Sequence, residues 1–164
     1  MAKIIRTYRE DFPQCCLIGK RYTEKDAHPQ TQFAPLWGQW FAQGWFDELE
    51  KLPSPLEDAY VAAMRQTETG MEYWIGMFFP GDTEPPQGFS RLPLGPAPMG
   101  TAWIQGNEES RDVYAAEGEA AEALRAAGLT PAGTWCFERY ACPRFTTPDK
   151  DGNIILDFCA FLTE

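Results

Sequence analysis

The sequence predicts an α+β fold. Two strand–helix–strand–strand modules, about 15–80 and 99–162, join their strands in a curved antiparallel sheet that carries two main helices. Three observations lead there. Short apolar or alternating runs of strand length recur along the chain. Two longer stretches carry apolar residues at helical spacing. The order strand, helix, strand, strand occurs twice, with no obvious residue identity between the copies. The length, 164 residues, suits one domain with a core of its own. A pseudo-twofold relation between the modules leaves a central cleft, and clefts at module interfaces favour ligands.

The elements follow in order. CCLIGKRYT (15–23) is apolar and then alternating, as a strand is. FAPLWGQWFAQGWFDELEKL (33–52) is a helix, with a break expected near Gly38 or Gly44. Its stripe is Phe33, Trp37, Phe41, Trp45 and Leu49, and Pro53 and Pro55 end it. AYVAAMR (59–65) and MEYWIGMFF (71–79) are strands of a hairpin turned by QTETG. The Pro/Gly-rich stretch 80–98 holds Phe89, Leu92 and Leu94, so it is an ordered surface connector rather than a free linker. MGTAWIQG (99–106) is a strand. SRDVYAAEGEAAEALRAAG (110–128) is a helix with Ser110 as N-cap and Gly128 as its stop; Val113, Ala116, Ala120, Leu124 and Ala127 face inward and the acids mostly outward. TWCFERY (134–140) and NIILDFCAFL (153–162) close the fold, with Asp151-Gly152 as a turn signal between them.

Composition narrows the function classes. Hydrophobic residues make up 44% and aromatics 14%, yet no apolar run approaches the roughly 20 residues of a membrane span. The N-terminus lacks a signal-peptide pattern, and a cytoplasmic location is expected. A net charge of −10 argues against direct binding to nucleic acid and suits a cationic ligand or a basic protein partner. The five cysteines are odd in number and include the adjacent Cys15 and Cys16, so free thiols are expected. No C-x-x-C pair accompanies the single histidine, His28, and neither a metal nor a cofactor is expected.

Other chemistries fit poorly. A Ser-His-Asp triad needs His28 with Ser54, Ser90 or Ser110, all at loop or helix-start positions. GMFFPGD lacks the Gly-Lys-Ser/Thr ending of a phosphate loop.

Glu138 stands out, since it lies in an aromatic strand. Side chains alternate along a strand, so Glu138 shares a face with Cys136 and Tyr140, while Arg139 shares the other with Trp135 and Phe137. Arg139 is therefore not its neutralising partner. Glu138 is exposed, hydrogen-bonded or waiting for a cation. Four aromatics stand out beside it: Tyr60, Trp74 next to Gly76, Trp103 near Gly106, and Trp40, off the main stripe of the first helix. Aromatic walls suit flat apolar cations, at about 0.5–2 kcal/mol for each cation–π contact.

The segments GKRYT, LWGQWFAQGWFDELEKL, EYWIGMFFP, GTAWIQG, FERY and CPRFTTPDKDGNIILDFC resemble the GyrI-like effector-binding domains, the ligand-binding half of many AraC- and MerR-type bacterial regulators. The resemblance spans about Cys15 to Leu162 and is most specific over 135–159. It implies a duplicated strand–helix–strand–strand fold and a multidrug-type pocket in which the glutamate of the FE-x-Y motif, here Glu138, holds cationic ligands. Only 14 residues precede the first expected strand, so the chain resembles the sensing half without a DNA-binding domain. Tyr140 then orients Glu138. Some GyrI-like proteins resemble hydrolases of strained, reactive xenobiotics, and for that chemistry Glu138 activates water and Tyr140 assists. A third possibility is an acidic interaction module for a basic partner such as gyrase or a regulator subunit, or a homodimer. Binding rather than catalysis is the favoured expectation, through Glu138, Tyr140, Trp74, Trp103, Tyr60 and Trp40.

Overall fold

The computed structural model describes residues 2–163. Its elements are β1 (Lys3–Phe12), β2 (Cys15–Thr23), α1 (Ala34–Gln43), α2 (Trp45–Glu50), β3 (Ala59–Thr67), β4 (Gly70–Pro80), β5 (Ser90–Leu94), β6 (Ala97–Asn107), α3 (Asp112–Ala115), α4 (Glu117–Ala126), β7 (Pro131–Ala141) and β8 (Asn153–Leu162). The fold is α+β, with antiparallel strand pairing in each of two compact units. One unit is Gln14–Leu94; the other combines the residues before Gln14 with those from Gly95 onward.

In the first unit the strand order is β3-β4-β2-β5, and in the second β7-β8-β6-β1. The two orders match position for position, which is the duplication expected from the sequence. Each half-module, however, has a fourth strand that periodicity did not reveal. β1 pairs with β6 from Lys3↔Gln105 to Phe12↔Ala97, and β5 pairs with β2 from Cys15↔Leu94 to Gly19↔Ser90. The stretch before Cys15 is thus a strand, and the 80–98 connector is one in part. Both strands lie at the outside of their unit's order and bury little, so neither carries a clean apolar alternation.

Glycine sets both the helix break and the tightest strand contact. Gly44, at φ 69°, ends α1 in the left-handed conformation and starts α2; Gly38 stays helical. The break re-phases the apolar face. Trp40, Phe46 and Leu49 are buried, whereas Phe41, a stripe member, is 60% exposed. Gly19 and Gly76 are register partners on β2 and β4. A Cβ on Gly76 would lie 2.1 Å from the Ile18 carbonyl oxygen, so only glycine fits.

The second long helix is also broken. α3 ends at Ala115, and α4 begins at Glu117 after the single cap residue Ala116. Ser110 does not cap it; Arg111 stands at the N-cap with φ 61°, and Asp112 accepts the Asn107 N–H at 2.7 Å. Gly128 does end it, at φ 82°. Val113, Ala116, Ala120 and Leu124 pack on Ala102, Ile104, Ile154, Leu156, Phe158 and Ala160 of β6 and β8, while Ala127 is exposed. Each large aliphatic side chain buried there contributes about 1.5–3 kcal/mol. The Asp151-Gly152 turn forms: Asp149 accepts the backbone N–H of Asp151 and of Asn153, and Gly152 takes φ 81°.

All five cysteines are free thiols. His28 is exposed, and its Nδ1 accepts the backbone N–H of Gln30 and Thr31. Among the described residues no His/Cys/Asp/Glu group could hold a metal ion, and no helix is long and apolar enough to cross a membrane.

Candidate functional site

The two faces of β7 carry different chemistry. Glu138 pairs with Phe158 in register and turns toward α3 and α4, with Cys136 and Tyr140 on the same face. Arg139 pairs with Asp157 and turns the other way.

On the helix-facing side two carboxyl groups meet. Glu138 is 8% exposed and accepts a hydrogen bond from the Tyr140 hydroxyl at 3.0 Å. Glu117, the first residue of α4, reaches it from the helix. Burial, and then the charge of Glu138, push the Glu117 carboxyl up to about 9. It therefore keeps its proton at neutral pH and donates it to Glu138. Burial also raises Glu138, against the opposing pull of the hydrogen bonds from Tyr140 and Glu117 and of the Arg111 charge. No salt bridge of the described residues includes either carboxyl. The Glu117 Oε1 atom is buried without a hydrogen-bond partner. Around the pair stand Tyr114, its hydroxyl pushed up to about 12 by burial and then by Glu108 and Glu138; Arg111, 4.8 Å over the Tyr114 ring; and Phe145, edge-on to Tyr140 at 4.8 Å. Burial and Glu117 raise the Cys136 thiol.

This arrangement concentrates negative potential in a half-apolar setting. It can accept a cation against Glu138, or pass a proton between an acid and a base.

The opposite face is self-satisfied. Asp157 is fully buried and accepts from Arg139 Nε and Arg144 Nε, each at 2.8 Å, while Arg139 also reaches Glu10 and Tyr8. Trp103 lies on this face. It donates to the Tyr8 hydroxyl at 3.2 Å and stands between the guanidiniums of Arg6 and Arg144 at 4.9 and 4.7 Å. It does not share a face with Glu138, because it pairs with Asp157 across β6 and β8.

Three of the expected site residues belong to the other unit. Trp74 is buried and donates to Glu72 Oε2 at 2.8 Å, beside Arg21 and Arg65, on the face of β4 away from α1 and α2. Tyr60 stacks on Phe46 at 3.7 Å and donates to Glu50. Trp40 is fully buried and donates to the Tyr22 hydroxyl at 2.9 Å. Glu138 and Tyr140 are thus brought together as expected, Trp103 and Trp74 are held in polar networks, Tyr60 packs against Phe46 of α2, and Trp40 is a buried side chain of α1 itself. Glu117, Tyr114 and Arg111 are the additions. Glu117 had a signal: it lies four residues after Val113 and three before Ala120, on the apolar stripe itself.

No protein-family model matches the sequence, and no curated relative matches it. Solved structures do match its fold. SAV2435, solved bound to tetraphenylphosphonium, superposes with a TM-score of 0.73 at 15% identity, covering 97% of this chain and 94% of that one. A candidate transcription regulation protein from Staphylococcus aureus MU50 gives 0.67 at 14% identity, with 99% of both chains covered. An integron cassette protein from the mobile metagenome of Vibrio cholerae gives 0.58 at 13%, also over 99% of both. At these identities the likeness is one of fold, and this chain has the fold of those three proteins.

Proposed function

We propose that this protein is a GyrI-like effector-binding domain that holds amphipathic, often cationic small molecules against Glu138, as a sensor or sequestering module. The observation that carries the reading is the buried Glu138–Glu117 pair, which has no basic ion-pair partner among the described residues. A buried carboxylate without a counter-ion is costly, and a bound organic cation supplies the missing charge. The rings of Tyr114, Tyr140 and Phe145, packed around the pair, suit its apolar part. The fold shared with SAV2435, a protein solved with a lipophilic cation, agrees with this reading.

Calorimetric titration of tetraphenylphosphonium into wild type and Glu138→Gln tests it. The glutamine keeps the shape and removes the charge. Loss of a charge-assisted contact, about 1.5–3 kcal/mol, weakens binding roughly ten- to hundredfold. Equal affinities remove Glu138 from the site.

A further inference from the structure

The unit Gln14–Leu94 contains a second arrangement that recognises positive charge, and it is already filled. The Lys20 Nζ lies 4.3 Å from the centroid of the Trp45 ring and 4.6 Å from that of Phe89. It donates to the Gly88 carbonyl at 2.7 Å. No salt bridge of the described residues includes it. Trp40, fully buried, stands edge-on to both walls, 5.5 Å from Trp45 and 5.9 Å from Phe89, and fixes their spacing. The loop side is fixed as well. Phe89 N–H closes a turn on the Pro86 carbonyl at 3.1 Å, and Gly88 takes φ 91°, where a side chain is strained.

Two aromatic walls and a carbonyl acceptor around an ammonium form an aromatic cage, the geometry that takes up alkylammonium groups. A half-buried lysine ordinarily keeps its head in water. Here the head folds back onto the rings. We propose that Trp45, Phe89 and the Gly88 carbonyl, supported by Trp40, form a second cation-binding site for small alkylammonium groups, whose resident occupant is the chain's own Lys20. Tethering gives that ammonium a high effective concentration, so a free cation competes poorly with it. Neutralising the lysine, as acetylation does, vacates the cage. The inference does not depend on the role of Glu138.

The test is a proton NMR titration with tetramethylammonium, whose methyl signal moves upfield against aromatic faces. It is run in the Glu138→Gln background, so that the carboxylate site does not contribute. Lys20→Ala and Lys20→Gln are expected to bind about tenfold or more tighter than their Lys20 parent, the scale of two desolvated ring contacts. Lys20→Arg keeps the cage filled and behaves as the parent does. Adding Trp45→Ala to Lys20→Ala abolishes the gain. The proposal is overturned if neither neutral variant binds tighter than the parent, or if the gain survives Trp45→Ala.

Discussion

Arg139 donates to Asp157 across β7 and β8 at 2.8 Å, and not to Glu138, its neighbour in sequence. The other unit repeats the device. Arg65 faces Glu72 across β3 and β4 and donates to it at 2.6 Å. A cross-strand arginine–carboxylate pair thus joins the matching strand pair in each half. Because Asp157 is fully buried and holds two arginines, Asp157→Ala leaves Arg144 without its carboxylate and Arg139 with Glu10 alone. The expected loss is about 3–5 kcal/mol of stability, read by urea denaturation. A loss below about 1 kcal/mol would show that the network contributes little.

The Glu117 carboxyl makes a pH prediction. Its folded-state pKa stands near 9, above its ordinary value of 4.5, so between those values the folded state holds a proton that the unfolded chain has released. Its contribution to stability is therefore present below about 4.5 and falls as pH rises toward about 9. Glu117→Gln keeps a neutral group there at every pH. Its melting temperature is expected to fall less between pH 5 and pH 8 than that of the wild type. Parallel pH profiles would contradict the carboxyl pair.

Tyr140→Phe removes the 3.0 Å hydrogen bond that favours the charged form of Glu138. Cation affinity is expected to drop by about 0.5–1.5 kcal/mol, less than for Glu138→Gln. The weakening of binding as pH falls should also begin at a higher pH, because the Glu138 pKa rises further. Titrations at several pH values read both effects. An unshifted pH profile would take Tyr140 out of contact with the carboxylate.

Gly76→Ala forces a methyl onto the Ile18 carbonyl oxygen at the β2–β4 pair. Backbone must move on one strand or the other. The variant is expected to lose more stability than the roughly 1 kcal/mol typical of point substitutions, or to fail to fold. Thermal melting near the wild-type temperature would mean that the strands part easily there.

Much of this was legible in the residues. Period-2 alternation placed Glu138 with Cys136 and Tyr140, and Arg139 on the opposite face, because strand geometry leaves no other choice. The duplicated order was legible too, since each half has one amphipathic helical region between strands. Two kinds of information were not. β1 and β5 are outer strands of their units, and their partners β6 and β2 both lie far from them in sequence, so pairing rather than pattern defines them. The aromatics look alike in sequence, yet indole N–H partners decide their places: Tyr8 for Trp103, Glu72 for Trp74, Tyr22 for Trp40. Strand parity places Trp103 on the Asp157 face only once the β6–β8 register is known.

The most direct test is a structure of the protein with tetraphenylphosphonium bound. The account predicts the phosphonium beside the Glu138 carboxylate, with a phenyl group against Tyr140 or Tyr114 and the Glu117 side chain still facing Glu138. A cation seated on the Trp103–Arg144 face of β6 and β8, with Glu138 and Glu117 undisturbed, would contradict it.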